Sequence, residues 1–136
     1  MFELALFDYL KTQTINGDTI NWGYGEVPDG SDAPYITQFN LDSSRDRQVI
    51  CDDFEDGGVA FIQWNIYDIN TSVSDRIAFG LEEILDGLWD NETSLTYLGN
   101  SYTITLREHN SSPSAQVIEN DLSTSVLTNT FTYRKD

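Results

Sequence analysis

Positive charge is what this chain has least of. Seven Lys and Arg stand against 23 Asp and Glu in 136 residues, a formal net charge of −16. A domain that grips duplex nucleic acid needs a cationic face to neutralise phosphates, and so few cations do not make one. The same deficit argues against an anionic membrane surface as partner. Cysteine is nearly absent too. The lone Cys51 leaves no internal disulfide to form and fits a reducing compartment. Its neighbours Asp52 and Asp53 disfavour the thiolate, so it is a poor nucleophile. His109 is the single histidine, and it sits beside a Ser/Asn loop with no evident partner to orient it as a general base. The spacings G-x-S-x-G, H-E-x-x-H and C-x-x-C do not occur. No run of about 18 apolar residues exists to span a bilayer. Met1-Phe2-Glu3-Leu4 has no basic segment of the kind that opens a signal peptide. The sequons at Asn70, Asn91 and Asn110 therefore read as ordinary polar loops. Repeats and low-complexity tracts are missing as well. These absences point away from an enzyme, a cofactor or a metal centre.

What is present is the composition of a folded domain. Hydrophobic residues make up 39% and aromatic residues 12%, enough to build one core over residues 1–136 in spite of the charge. The clearest pattern lies in residues 58–89. Ala60, Ile62, Trp64 and Ile66 alternate with Phe61, Gln63, Asn65 and Tyr67, the period of a strand. Asn70-Thr71-Ser72 breaks the run and offers helix-capping oxygens. From Val73 the period becomes helical: Val73, Ile77, Leu81, Ile84, Leu85 and Leu88 share a stripe, while Arg76, Glu82, Glu83 and Asp86 lie off it. A strand with one apolar face followed by a helix with one apolar stripe buries both surfaces most simply by packing the helix on the sheet.

The flanking segments fit around that unit. Phe2, Leu6, Tyr9 and Leu10 predict a short N-terminal helix, and Asn16-Gly17-Asp18 a turn. Residues 19–22 read as a short strand and 23–32 as a loop. Two glycines flank Tyr24, but no G-x-x-x-x-G-K-[ST] follows and the surroundings are acidic, so this is not a phosphate loop. From Pro34-Tyr35 a strand alternates Tyr35, Thr37, Phe39 and Leu41 with Ile36, Gln38 and Asn40. Residues 48–51 extend a second strand. Residues 95–98 and 102–108 form strands around a Gly99-Asn100 turn. In the latter, Tyr102, Ile104 and Leu106 face one side and Thr103, Thr105 and Arg107 the other. Residues 117–121 form a short strand, and 126–133 the last one. The expected fold class is α+β: a single antiparallel or mixed β-sheet with one long and one short helix packed on one face.

Each strand also has a second face, rich in uncharged polar side chains: Gln38 and Asn40; Gln63 and Asn65; Thr103 and Thr105; and Thr128, Thr130 and Thr132. Such faces look at water or at a neighbouring subunit. The acidic cluster Asp52, Asp53, Glu55 and Asp56 lacks the alternating spacing and closing glutamate of an EF-hand. It is a solvated turn or a tip that touches a partner, with Arg45 and Arg47 close by in sequence.

The order of these elements resembles that of the tail terminator, or tail completion, proteins of long-tailed bacteriophages. The similarity is carried by the short first helix, the Asn16-Gly17-Asp18-Thr19-Ile20 turn, the strand opener Ala33-Pro34-Tyr35-Ile36, the Phe61-Ile62-Gln63-Trp64-Asn65-Ile66-Tyr67 strand, the helix ending near Leu85-Asp86-Gly87-Leu88, and the last strand from Thr128. Residues 91–101 depart from the pattern. The resemblance implies a structural virion protein at the tail–neck junction, made in the host cytoplasm. Such a protein forms a ring, usually a hexamer, on the tail tube protein, ends tube polymerisation and meets the head–tail connector or neck protein. DNA passes through its lumen without specific binding. On that expectation Arg45, Arg47, Asp52, Asp53, Glu55 and Asp56 serve ring or partner contacts. Gln38, Asn40, Gln63, Asn65, Thr103, Thr105, Thr128, Thr130 and Thr132 face the lumen, where uncharged polar groups and carboxylates let a polyanion slide. Two alternatives stand beside it: another head–tail connector or neck component, and an acidic inhibitor or nucleic-acid mimic. The mimic needs its acids on one continuous face, whereas here they are spread over loops and helix backs. A hydrolase built on the acids ranks last.

Overall fold

The computed structural model describes residues 2–15, 17, 19–26, 34–43, 57–68, 71–109, 115–119 and 122–136. Along these run α1 (Phe2–Leu10), β1 (Asn21–Tyr24), β2 (Tyr35–Ser43), β3 (Gly57–Asp68), α2 (Thr71–Asp90), β4 (Leu95–Tyr97), β5 (Asn100–His109), β6 (Ala115–Glu119) and β7 (Leu122–Lys135). The strands form one mixed seven-stranded sheet ordered β1-β2-β3-β7-β5-β4, with β6 pairing to β7 off that path. Among the described residues β1 and β2 run parallel and every other strand pair is antiparallel. β7 pairs with β3 along Ser123 to Arg134. Its opposite edge is shared, with β6 along Leu122 to Ser125 and β5 along Asn129 to Lys135. The fold is α+β, with both helices on one face.

The strict alternation of β3 decides which face that is. Ala60, Ile62, Trp64 and Ile66 are fully buried. By register they stand beside Phe131, Asn129, Leu127 and Ser125 of β7. α2 lays Ile77, Ala78, Leu81, Leu85 and Leu88 into this face, and α1 adds Phe2, Ala5, Leu6 and Leu10. Phe2 is the anchor of α1: its ring stacks on Tyr133 with centroids 4.3 Å apart and meets Phe131 and Tyr102. Burying a large aromatic of this kind is worth several kcal/mol, about 3–5 on truncation to Ala. β1 brings Trp22 and Tyr24 against Phe7 of the same helix.

Local chemistry explains the ends of the elements. α2 closes with the Glu92 amide on Trp89 O at 3.2 Å and the Thr93 amide on Leu88 O at 3.1 Å. This double closure needs a left-handed residue, and Glu92 supplies it at φ 48°. β4 and β5 meet through a two-residue turn, Leu98-Gly99, with φ of 49° and 80°, the type I′ geometry that matches strand twist.

Some sequence expectations shift. β1 lies at Asn21–Tyr24, two residues later than the pattern predicts, because Gly23 and Tyr24 pair with Thr37 and Gln38 instead of entering a loop. The strand expected over 48–51 lies outside the described residues. In β5 the register slips between Ile104 and Leu106, and this bulge inverts every side chain that follows. Tyr102 and Ile104 face the core as expected. Beyond the bulge it is Arg107 that turns inward, and Leu106 is exposed, the reverse of the simple alternation.

Candidate functional site

The face of the sheet turned away from the helices is built from the alternate residues of β3 and β7. Val59, Phe61, Gln63 and Asn65 stand beside Thr132, Thr130, Thr128 and Val126, all half-buried. Gln63 donates to Asn65 Oδ1 at 2.7 Å, and Asn65 donates to the Tyr67 hydroxyl at 3.2 Å. Tyr67 in turn stacks on Tyr35 of β2 at 4.8 Å. These amides are tied to each other in a row along the strand, which fixes their orientation. The structure thus brings five of the expected polar residues together: Gln63, Asn65, Thr128, Thr130 and Thr132. On this side of β3, β5 and β7 the charges are Glu108 and Arg134, the latter held to Asp136 at 3.0 Å.

The other four residues of that set are placed differently. Gln38 is a correction: it lies on the covered face, fully buried. Its amide donates to Glu3 O at 3.1 Å and its carbonyl accepts from Trp64 Nε1 at 3.0 Å. Trp64 is buried and needs an acceptor for its indole N–H, and Gln38 is that acceptor. Gln38 therefore links α1 to the central strand and is closed to any channel. Asn40 is a second correction. It stands opposite Ile62, so it shares the helix side, where it is exposed and donates to the Tyr24 hydroxyl. Thr103 has the expected side but is buried, with its hydroxyl donating to Asp136 Oδ2 at 2.7 Å. Thr105 is the extra residue of the β5 bulge, exposed and bonded to Thr132 O at 3.1 Å. Arg45, Arg47, Asp52, Asp53, Glu55 and Asp56 lie outside the described residues.

One charged constellation escapes a reading by periodicity. Arg107 crosses from β5 to α2, where its guanidinium bonds Glu82 Oε2 at 2.7 Å and Asp86 Oδ1. The Arg107 side chain is 1% exposed and that of Glu82 9%, whereas Asp86 is 53% exposed. The signal for it was faint: Glu82 and Asp86, four apart on the helix, share one side and invite a cation there. Only the bulge delivers one. Nearby Asn129 is fully buried on the same face, with neither amide atom partnered among the described residues. At the end of β7 the Asp136 carboxyl is held below its usual range, first by the Thr103 hydroxyl and then by Arg134, against an opposing effect of desolvation. Among the described residues no group of His, Cys, Asp and Glu is placed to hold a metal ion. Among the described residues the face turned away from the helices offers ordered, mostly uncharged hydrogen-bonding groups.

Comparison with known proteins adds a fold likeness. No protein-family model and no curated protein matches the sequence. A solved structure that carries no functional description superposes with a TM-score of 0.55 at 15% identity, over 99% of this chain and 90% of its own. A chain from the virion of native gene transfer agent (GTA) particle superposes with a TM-score of 0.51 at 13% identity, over 98% of this chain and 96% of its own. At such identities the likeness is one of fold.

Proposed function

We propose that this protein is a structural virion component of the tail terminator kind: a ring, hexameric by the family resemblance, that caps the tail tube and joins it to the head connector while DNA passes through. The observation that carries the reading is that almost the whole chain shares its fold with a chain of the gene transfer agent virion. The physics of the molecule agrees. A net charge of −16 suits a conduit that must not hold phosphates, and the row Gln63, Asn65, Thr128, Thr130 and Thr132 is its uncharged lining. Closed rings need two different patches that meet on neighbouring copies. Arg45 and Arg47, with the Asp52, Asp53, Glu55 and Asp56 tip, supply one such pairing. The tail tube protein and a head–tail connector or neck protein are the axial partners, and the tail–neck junction of the virion is the place.

The test is to delete the gene and image the particles. Tails of uncontrolled length lacking the topmost ring are expected. Tails of normal length joined to heads would overturn the reading. The fold likeness accommodates a neck component as well, and the same images separate the two: loss of such a protein leaves tails of correct length, capped, beside unattached heads.

A further inference from the structure

α2 is fastened to the sheet in two different ways. Near its start, Ser125 of β7 donates to Asp75 Oδ1 at 2.7 Å and lies 3.1 Å from Ser74 Oγ. Ser74 and Ser125 are fully buried, and their hydroxyls meet each other there. Further along β7, on the same face, stands Asn129. It is just as deeply buried, between Ile62 of β3 and His109 of β5 in the register. Its amide both donates and accepts, yet neither amide atom has a partner among the described residues. Burying such a group without partners opposes folding.

The second fastening is Arg107. Its guanidinium reaches Glu82 and Asp86 of α2, but its buried Nε has no partner among the described residues. Arg107 stands beside Phe131 in the register, the next inward residue of β7 after Asn129, so the two incompletely bonded groups are neighbours on the covered face. The helix is also weak at this end. Gly87 lies inside α2, and a Cβ there would meet nothing nearer than Asn91 Nδ2 at 3.9 Å. No neighbour requires the glycine, which holds a helix less firmly than alanine does. Asp86 and Asp90 are like charges one turn apart. They stand at the negative end of the helix dipole, and the last turn holds no basic residue to offset it.

We infer that α2 is a hinged cover, fixed at Ser125 and lifting from the sheet over residues 82–90, with Arg107 as its catch. Lifting exposes Leu85 and Leu88, which opposes it. It also brings water to the Asn129 amide and the Arg107 Nε, which favours it. The lifted form is a minor state of the free chain, and a partner that prefers it draws the helix end off the sheet in proportion to that preference. This device belongs to the single copy and does not rest on the ring reading.

Native-state amide exchange of the full chain in low urea tests it. Amides of residues 85–90 should exchange about tenfold faster than those of 77–81. They should share one opening whose free energy falls with urea, the sign of a unit that exposes surface. Equal exchange along α2 overturns the inference, and so does fast exchange confined to the last turn and indifferent to urea, which is ordinary fraying. Gly87→Ala should slow exchange at 85–90 about fivefold. Ser125→Ala should speed it at 77–81 and leave 85–90 unchanged, because the Ser125 contact survives in the lifted form; equal acceleration of both would show α2 moving as one piece and overturn the hinge. Asn129→Leu removes the group that gains from water, so it should fold at least as stably as the parent and slow exchange at 85–90 about tenfold. If leucine proves too large for the chain to fold, the smaller Asn129→Val is read in its place. Unchanged exchange at 85–90 in the variant that folds overturns the inference.

Discussion

Replacing Arg107 with Met tests the least expected feature of the fold, the cation that the β5 bulge turns under α2. Methionine keeps most of the length and removes the charge. The two carboxylates then respond differently. Asp86 is 53% exposed and returns to water at a cost of about 0–1 kcal/mol. Glu82, at 9%, stays beneath the helix without the guanidinium, and breaking a buried pair in this way costs about 3–5 kcal/mol. Against a total stability of about 5–15 kcal/mol, that is a large fraction. For a chain of this size it lowers the melting temperature by roughly 10–20 °C. Urea titration followed by circular dichroism reads the free energy directly, with an unchanged slope showing that the native state has not loosened. The double variant Arg107→Met with Glu82→Met should regain most of the loss, since an apolar pair of similar volume replaces the ions. A single Arg107→Met variant within 1 kcal/mol of the parent refutes the reasoning. It would place Arg107 in water and Leu106 inside, the arrangement that simple alternation predicts.

Four further substitutions have expected outcomes. Trp64→Phe strands the Gln38 carbonyl and shortens the ring, so it should cost about 1–3 kcal/mol by the same titration, whereas Gln63→Ala on the open face should stay within about 1 kcal/mol. At Gly57 an added Cβ overlaps the Tyr133 carbonyl, and Gly57→Ala should destabilise by about 1–3 kcal/mol, with opening of the β3–β7 ends visible in amide exchange. Asp136 has a lowered pKa, so its contribution is complete above the ordinary carboxylate range and is lost as pH falls through the native value. Parent and Asp136→Asn should therefore differ at pH 7 and converge in strong acid; a difference that grows on acidification would be the wrong sign.

The sequence was most legible where one period ran without interruption. β3 alternates over its whole length and α2 keeps one stripe, so the covered face, the long helix and the row of Gln63, Asn65 and the β7 threonines could all be read from residue spacing. It was least legible where a local event resets the count. A single extra residue in β5 exchanged Arg107 and Leu106, and nothing in Thr103-Ile104-Thr105-Leu106 announces a bulge. Gln38 departs for a different reason: its polar character predicts exposure, yet a buried tryptophan demands an acceptor, and one glutamine between α1 and β3 answers it. Tertiary need decided that position, and periodicity carries no trace of it. At the β4–β5 hairpin the Gly99-Asn100 step predicts the turn, and the turn proper, Leu98-Gly99, falls one residue earlier.

The placing of β7 has a consequence for how the protein comes into being. This strand sits at the middle of the sheet, touching β3 on one side and β5 and β6 on the other, but it is translated after all of them. Until it leaves the ribosome, the long apolar edge of β3 has no lasting mate, and Gly57 must wait for Arg134. Such distant pairing is slow and leaves bare backbone exposed to other nascent chains. The abundance of carboxylates then has a use while the chain is still incomplete, since mutual repulsion keeps half-made copies apart while their keystone is still being synthesised.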